Sequence, residues 1–153
     1  MTLLLEFKLL EGRFALARLP TGSVVPPWMS GRFAVAVFSN HGLTVVAEES
    51  AVPREVTAQR DFRCLQIGGE FAISSVGVVA AAVGPIAAAG VSLFVHSTWE
   101  TDFILVREDD LARAMRALSD AGHKLVGFDR TVLGQPAAQH QRIFPRLSPT
   151  DRP

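Results

Sequence analysis

Between Ile73 and Val126 the spacing of apolar positions alternates between helical and strand periods with almost no residue left over. Val76, Val79, Ala80, Val83 and Ile86 or Ala87 recur at three- and four-residue steps and predict one stripe of a helix. Ser74 or Ser75 can cap its first turn, Gly90 can close its last, and Pro85 removes a backbone donor, so a kink or a loosened turn is expected there. The period then drops to two. Val91, Leu93, Val95 and Ser97 fall on one face of a strand, and Ser92, Phe94, His96 and Thr98 on the other. Trp99, Glu100 and Thr101 reverse the chain into the strand FILV. Asp109 and Asp110 open a second helix whose apolar stripe is Leu111, Ala114, Met115 and Leu118; Gly122 ends it, and Lys124 to Phe128 returns as a strand. With Asp61 to Ile67 as the strand before the first helix, the unit is βαββαβ, predicting a four-stranded antiparallel sheet with two helices on one side.

The first part of the chain has strand patterning and poor helical periodicity. Extended pieces are expected at Leu4–Leu9, Arg13–Leu19, Phe33–Ser39 and Leu43–Glu48, the last two joined as a hairpin through Asn40, His41 and Gly42. The run TGSVVPPWMS reads as a loop with one helical turn at Pro27 to Met29, and 50–60 as a polar connection. Beyond Phe128 the pattern fails, which predicts a flexible tail over 129–153 or an arm onto a partner subunit.

The stretch SSVGVVAAAVGPIAAAGVSLFVHSTWETDFILVREDDLARAMRALSDAGHKL resembles an ACT domain, the small amino-acid-binding regulatory module. It is most similar to the second half of tandem-ACT proteins related to aspartokinase regulatory domains and CASTOR-type arginine sensors. The resemblance rests on Gly90-Val91-Ser92 at a strand start, on Ser97-Thr98 followed by Thr101 to Val106, and on the closing Ala121-Gly122-His123. GRFALARLP, the Trp28-Met29 pair after two prolines and RDFRCLQIGG also look like the N-terminal part of small standalone proteins of this group. The resemblance implies an α+β, ferredoxin-like fold. A degenerate, strand-rich ACT-like half at 1–60 would precede an ACT domain at 61–128.

Composition narrows the function. Fifteen acidic and fifteen basic residues balance to zero formal charge, so no electrostatic footprint for nucleic acid or an anionic membrane is present, and neither is expected as a partner. A 48% hydrophobic content over 153 residues suffices for a core. The apolar N-terminal run is interrupted by Glu6 and Lys8 and does not read as a signal peptide. Cys64, the single cysteine, allows no internal disulfide, and a cytoplasmic protein is expected. Apolar residues lie on both faces of the strands, among them Phe62, Phe94, Ile104, Leu105 and Val106, yet two helices cover only one. The N-terminal half and a second copy of the chain are expected over the other, which predicts a homodimer.

Ile73, Ser74, Ser75, Val76 and Gly77 precede the first helix, where free amides and the helix dipole favour a carboxylate and Gly77 admits a ligand close to the backbone. In ACT modules the main chain of an amino acid docks here; the plain alternative is that the serines only cap the helix. Ser97, Thr98 and Asp102 flank the turn between the central strands. Asp102 can receive an ammonium group, or it can simply stabilise the reversal with Thr101.

Enzymatic chemistry has little support. No cysteine-protease signature surrounds Cys64, His96 and His123 lack metal-ligand spacing, Glu108 to Asp110 reads as a helix start, and Gly68-Gly69 lacks the lysine and hydroxyl of a phosphate loop. No cofactor and no metal are expected. The expected function is a non-enzymatic sensor binding a free amino acid at a subdomain or subunit interface. The alternative is a ligand-free dimerisation module.

Overall fold

The computed structural model describes residues 3–69 and 71–128; the expected tail at 129–153 lies outside the described residues. Eight strands form one sheet: β1 (Glu6–Leu9), β2 (Phe14–Leu19), β3 (Val35–Ser39), β4 (Gly42–Glu48), β5 (Ala58–Ile67), β6 (Leu93–Ser97), β7 (Asp102–Arg107) and β8 (Lys124–Val126). Two helices, α1 (Val78–Ala88) and α2 (Leu111–Asp120), follow β5 and β7. The N-terminal strands and the β3–β4 hairpin thus stand where the sequence pattern places them.

The centre of the sheet departs from the expected four strands. β5 pairs with β7 on one side and with β1 on the other, and β8 pairs in parallel with β1, not with β5. The N-terminal strand has entered the middle of the βαββαβ unit, giving the order β6-β7-β5-β1-β8. Phe7 explains why. It faces Ile67 and Leu125 across the two ladders, is fully buried, and joins the cluster under both helices. An apolar side chain of this size returns the most free energy where sheet and helices enclose it from several sides.

β5 begins earlier than the pattern predicts because a bulge hides its start. Asp61 adopts a left-handed conformation (φ 62°), and the register against β2 slips between Phe14 and Leu16. Its amide donates to Glu49 Oε2 at 2.7 Å, and Arg13 donates to its carboxylate at 2.9 Å. Before the bulge Ala58 packs with Ala15, Ala17 and Val45; after it Phe62 and Cys64 turn toward Phe14, Phe33 and Val46. One strand therefore serves two layers.

The helix-free face of β5 and β7 is covered from within the chain. Phe33 stacks on Phe103 at 4.2 Å, and Phe14, Phe62, Cys64 and Leu105 complete a buried cluster. The N-terminal half supplies this cover, as the two-faced strands require. Phe94 and His96, nearer the free edge of β6, are only partly covered.

α2 buries Leu111, Ala114, Met115 and Leu118, the stripe read from sequence. α1 differs in phase. Its buried residues are Val78, Ala82 and Ile86, whereas Val76 precedes the helix and Val79 points outward. The helix is apolar nearly all round, so periodicity alone could not choose the face. Both helices end alike: Gly90 and Gly122 take positive φ, and the next amides, Val91 and His123, reach back to Ile86 and Leu118 at 3.2 and 3.0 Å. Pro85 does not divide α1, which remains one helix through it. Proline deprives the Ala81 carbonyl of its usual donor, and His123 Nε2 sits 3.1 Å from that oxygen. Leu5 donates its amide to the other ring nitrogen at 3.2 Å. A carbonyl only accepts and an amide only donates, so the imidazole is the Nε2–H tautomer, tying Leu5, just before β1, to α1.

Candidate functional site

The loop after β5 and the turn between β6 and β7 form opposite walls of one cleft beside the start of α1. The turn closes on itself through Thr98 N–H to Thr101 O at 2.8 Å, with the Thr98 hydroxyl donating to the same carbonyl at 2.8 Å. Thr101, which is buried, donates its hydroxyl to Ile67 O at 2.6 Å, and Phe71 donates its amide to Glu100 O at 3.2 Å. These bonds tie the end of β5 and the loop to the turn, so both walls are fixed by backbone contacts.

The cleft holds about 320 Å³ and opens to solvent. Ile73, Ser75 and Gly77 line it on the loop side, and Ser97, Thr98 and Asp102 on the turn side. Two segments, 73–77 and 97–102, each singled out from sequence, thus meet. The serines do not cap α1. Its N-cap is Gly77, left-handed at φ 88°, with no side-chain cap, and the first helical bond runs from Ala81 N–H to Gly77 O at 2.9 Å. The amides of Val78, Val79 and Ala80 consequently lack intrahelical acceptors, and these residues line the cleft. A side chain at position 77 would point into open space, so nothing shields the backbone from an approaching ligand.

Asp102 lies on the helix side of β7, in register with Ser97, and is half-buried. Among the described residues no hydrogen bond or ion pair engages its carboxylate, so it is not a strut of the turn; Thr98 and Thr101 do that work. The cleft therefore offers a positive helix terminus at one end and a free carboxylate at another, an arrangement complementary to a zwitterion.

Two residues expected at the site fall elsewhere. Ser74 lines an adjoining, more open depression with Phe71, Trp99 and Glu100. Val76 is 93% exposed and lines neither. The loop carries it past the cleft, because the helix starts later than the serines suggest. The sequence pattern assigns Trp99, Glu100 and Thr101 to the reversal and gives no reason to place Phe71 or Val79 in the lining, where the structure has all five. The visible signal was Trp99 itself, a large aromatic ring in a turn, which is 76% exposed.

Cys64 and His96 stand in the sheet, outside the cleft. Burial pushes the Cys64 thiol up to about 12, leaving it a core side chain with no nucleophilic character near neutrality. Partial burial lowers the His96 pKa. Among the described residues no group of three histidine, cysteine or acidic side chains is placed to hold a metal ion, and no helix is long and apolar enough to cross a membrane.

A ferredoxin-like sheet carrying two helices on one face, with a ligand-sized cleft at the first helix N-terminus, defines a small α+β binding module. Residues 57–120 match the ACT domain. The chain is 30% identical to protein Atu0741 of Agobacterium tumefaciens, whose crystal structure it matches with a TM-score of 0.77 over 81% of this chain and 93% of that one. The chain belongs to the ACT-domain family. VC0802 of Vibrio cholerae, described as a protein of unknown function and a possible transport protein, matches at 19% identity and a TM-score of 0.60, over 76% of this chain and 89% of that one. The regulatory subunit of aspartate kinase from Thermus flavus matches at 12% identity and 0.52, over 79% and 98%. These two likenesses are of fold. No functionally curated protein matches the chain.

Proposed function

We propose that this protein is a non-enzymatic sensor that binds a free amino acid in the cleft between the start of α1 and the β6–β7 turn. The observation that carries the reading is the convergence of Ile73, Ser75 and Gly77 with Ser97, Thr98 and Asp102 around one open space beside uncapped helix amides. The α-carboxylate docks on the amides of Val78 to Ala80 and the α-ammonium on Asp102, with the Ser75, Ser97 and Thr98 hydroxyls as further partners. Binding joins the loop wall to the turn wall and shifts the protein toward conformations in which both are held, which is the physical basis of a sensor. The aspartate kinase regulatory subunit, similar in fold, lends the reading its context. Residues 1–60 are read as a second, helix-poor ACT-like unit that has become a cover for the first, and a reducing cytoplasm as the setting for a lone buried thiol.

A thermal-unfolding screen with each common amino acid at millimolar concentration tests this. Ligand held only by the native state stabilises it by mass action, by about 2.7 kcal/mol at a hundred times Kd. At least one amino acid is expected to raise Tm, and Asp102→Ala or Ser75→Ala to diminish the rise. A flat screen would move the weight to the second reading, a module that holds another protein or a second copy. Ile73 (73% exposed) and Trp99 favour that reading, because they place apolar surface in the lining of the cleft, and Val76 adds exposed apolar surface on the same loop. A homodimer is compatible with both readings, and light scattering on the same sample reports it.

A further inference from the structure

We infer that a second depression, on the helix-free face of the sheet, binds a small organic acid: a carboxylate on an aliphatic body that carries no amino group. It is separate from the cleft and does not depend on the function proposed for it. The depression holds about 350 Å³ and lies where β2 and the start of β5 meet the β3–β4 turn. Arg18 stands opposite Thr44 across the β2–β4 ladder and donates its amide to Thr57 O at 3.0 Å, and Leu16 stands opposite Gln59. Leu16 and Arg18 alternate with Ala17, so all these side chains share one face, the face on which Leu16 packs against the cluster of Phe14 and Phe33. The rim beside them is fixed in advance. Gly42 has a φ of 124°, and a Cβ there would lie 2.4 Å from Leu19 O, so the turn passes the end of β2 more closely than any other residue allows. The Ser39 hydroxyl holds the turn, donating to Gly42 O at 3.3 Å and accepting from the His41 amide at 3.1 Å.

The polar groups of the lining are donors without partners. They are the Arg18 guanidinium, the His41 imidazole, the hydroxyls of Thr44 and Thr57 and the Gln59 amide, and no aspartate or glutamate stands among them. None of these side chains makes a hydrogen bond or ion pair among the described residues. Elsewhere in the fold Arg13, Arg32, Arg63 and Arg113 each pair with a carboxylate, so a guanidinium left over beside hydroxyls marks a place for an acid from outside the chain. The planar fork of Arg18 can donate two parallel bonds to one carboxylate, and the threonine hydroxyls can reach its remaining lone pairs. Leu16 and Ala58 supply apolar contact for an aliphatic body. The single permanent positive charge matches a single carboxylate. An ammonium group finds no acidic partner here, in contrast to the cleft with its Asp102, so a zwitterion suits the cleft and a simple anion suits this depression.

Backbone amide shifts of the labelled full chain at low salt, titrated with isocaproate, isocaproamide and L-leucine, separate charge from shape, because the three share one aliphatic body. Isocaproate is expected to move Leu16 to Arg18, Gly42 to Thr44 and Thr57 to Gln59 to saturation, and the neutral amide and L-leucine to act there at least about tenfold more weakly. The preference should shrink as ionic strength rises. Arg18→Gln is expected to bring the Kd of isocaproate to that of isocaproamide, and Arg18→Lys, which keeps the charge and loses the fork, to restore part of the difference. Arg18 is exposed, so both variants should keep the parent Tm, which shows that the fold is intact. No saturable shift at these residues, shifts confined to Ser75 to Ala80, equal affinity for isocaproate and either of the other two, or a Kd unchanged by Arg18→Gln would each overturn the inference. All of those results leave the amino-acid cleft standing.

Discussion

At the scale of single residues, His123 shows how a local defect is absorbed by a distant side chain. Pro85 leaves the Ala81 carbonyl without its helical donor, and the ring that replaces the donor lies forty-two residues away in sequence. Leaving a fully buried carbonyl unpaired costs on the order of 1–3 kcal/mol, and the Ala81 carbonyl is part-buried, so His123→Ala should destabilise by the lower part of that range in urea unfolding, beyond what it costs in packing. In a Pro85→Ala background position 85 regains an amide for Ala81, and the same histidine substitution should cost less, with a coupling of about 1 kcal/mol. Full additivity would mean that the contact does not replace the lost donor. Cys64 gives a second residue-scale expectation. Its folded pKa is raised from 9.0 to about 12 by burial, so the unfolded chain loses its proton first and stability falls as pH rises from about 9 toward 12. Cys64→Ala should flatten that slope, whatever it costs in packing, and a slope unchanged by the substitution would contradict the assignment.

At the scale of elements, the two helices show when a face can be read from sequence. α2 carries Arg113, Arg116 and Asp120 among its apolar residues, so its stripe is unambiguous and the structure buries it. α1 carries no charge at all, and several faces look equally apolar. Tertiary contact chose Val78, Ala82 and Ile86. Ile86→Ala should therefore cost about 2–5 kcal/mol. Val79→Ala, on the outward side at 38% exposure, should cost well under that, and similar losses at both positions would contradict the observed phase. The same contrast governs the strands. Alternation marked the N-terminal strands and the β6–β7 pair, because each has distinct faces. It could not reveal that β1 lies between β5 and β8, since pairing partners leave little mark on a four-residue segment. Nor could it reveal the start of β5, where the bulge at Asp61 breaks the alternation that identifies a strand. At the cleft, residue type and loop position pick out Ile73, Ser75, Gly77, Ser97, Thr98 and Asp102, which the structure brings around one space; their contact with a ligand is the proposal the amino-acid screen tests. Val76 and Ser74 depended on the first turn of α1, which the missing side-chain cap made illegible.

At the scale of the whole molecule, one sheet joins two functions that a small domain otherwise has to separate. The N-terminal strands cover the helix-free face with Phe14, Phe33 and Val46, so the core is closed without consuming the cleft on the helix side. Hydrogen bonds at Thr98, Thr101 and Phe71 fix the walls of the cleft, and the space between them stays open to solvent. Backbone amide shifts of the labelled protein, recorded with and without each common amino acid, test the central claim most directly. A ligand is predicted to move Ser75 to Ala80 together with Ser97 to Asp102 and to leave β2, β3 and β4 unchanged. Silence at both segments with every amino acid, or shifts gathered instead around Leu16, Thr44 and Gln59, which line a separate apolar depression between β2, β4 and β5, would contradict it.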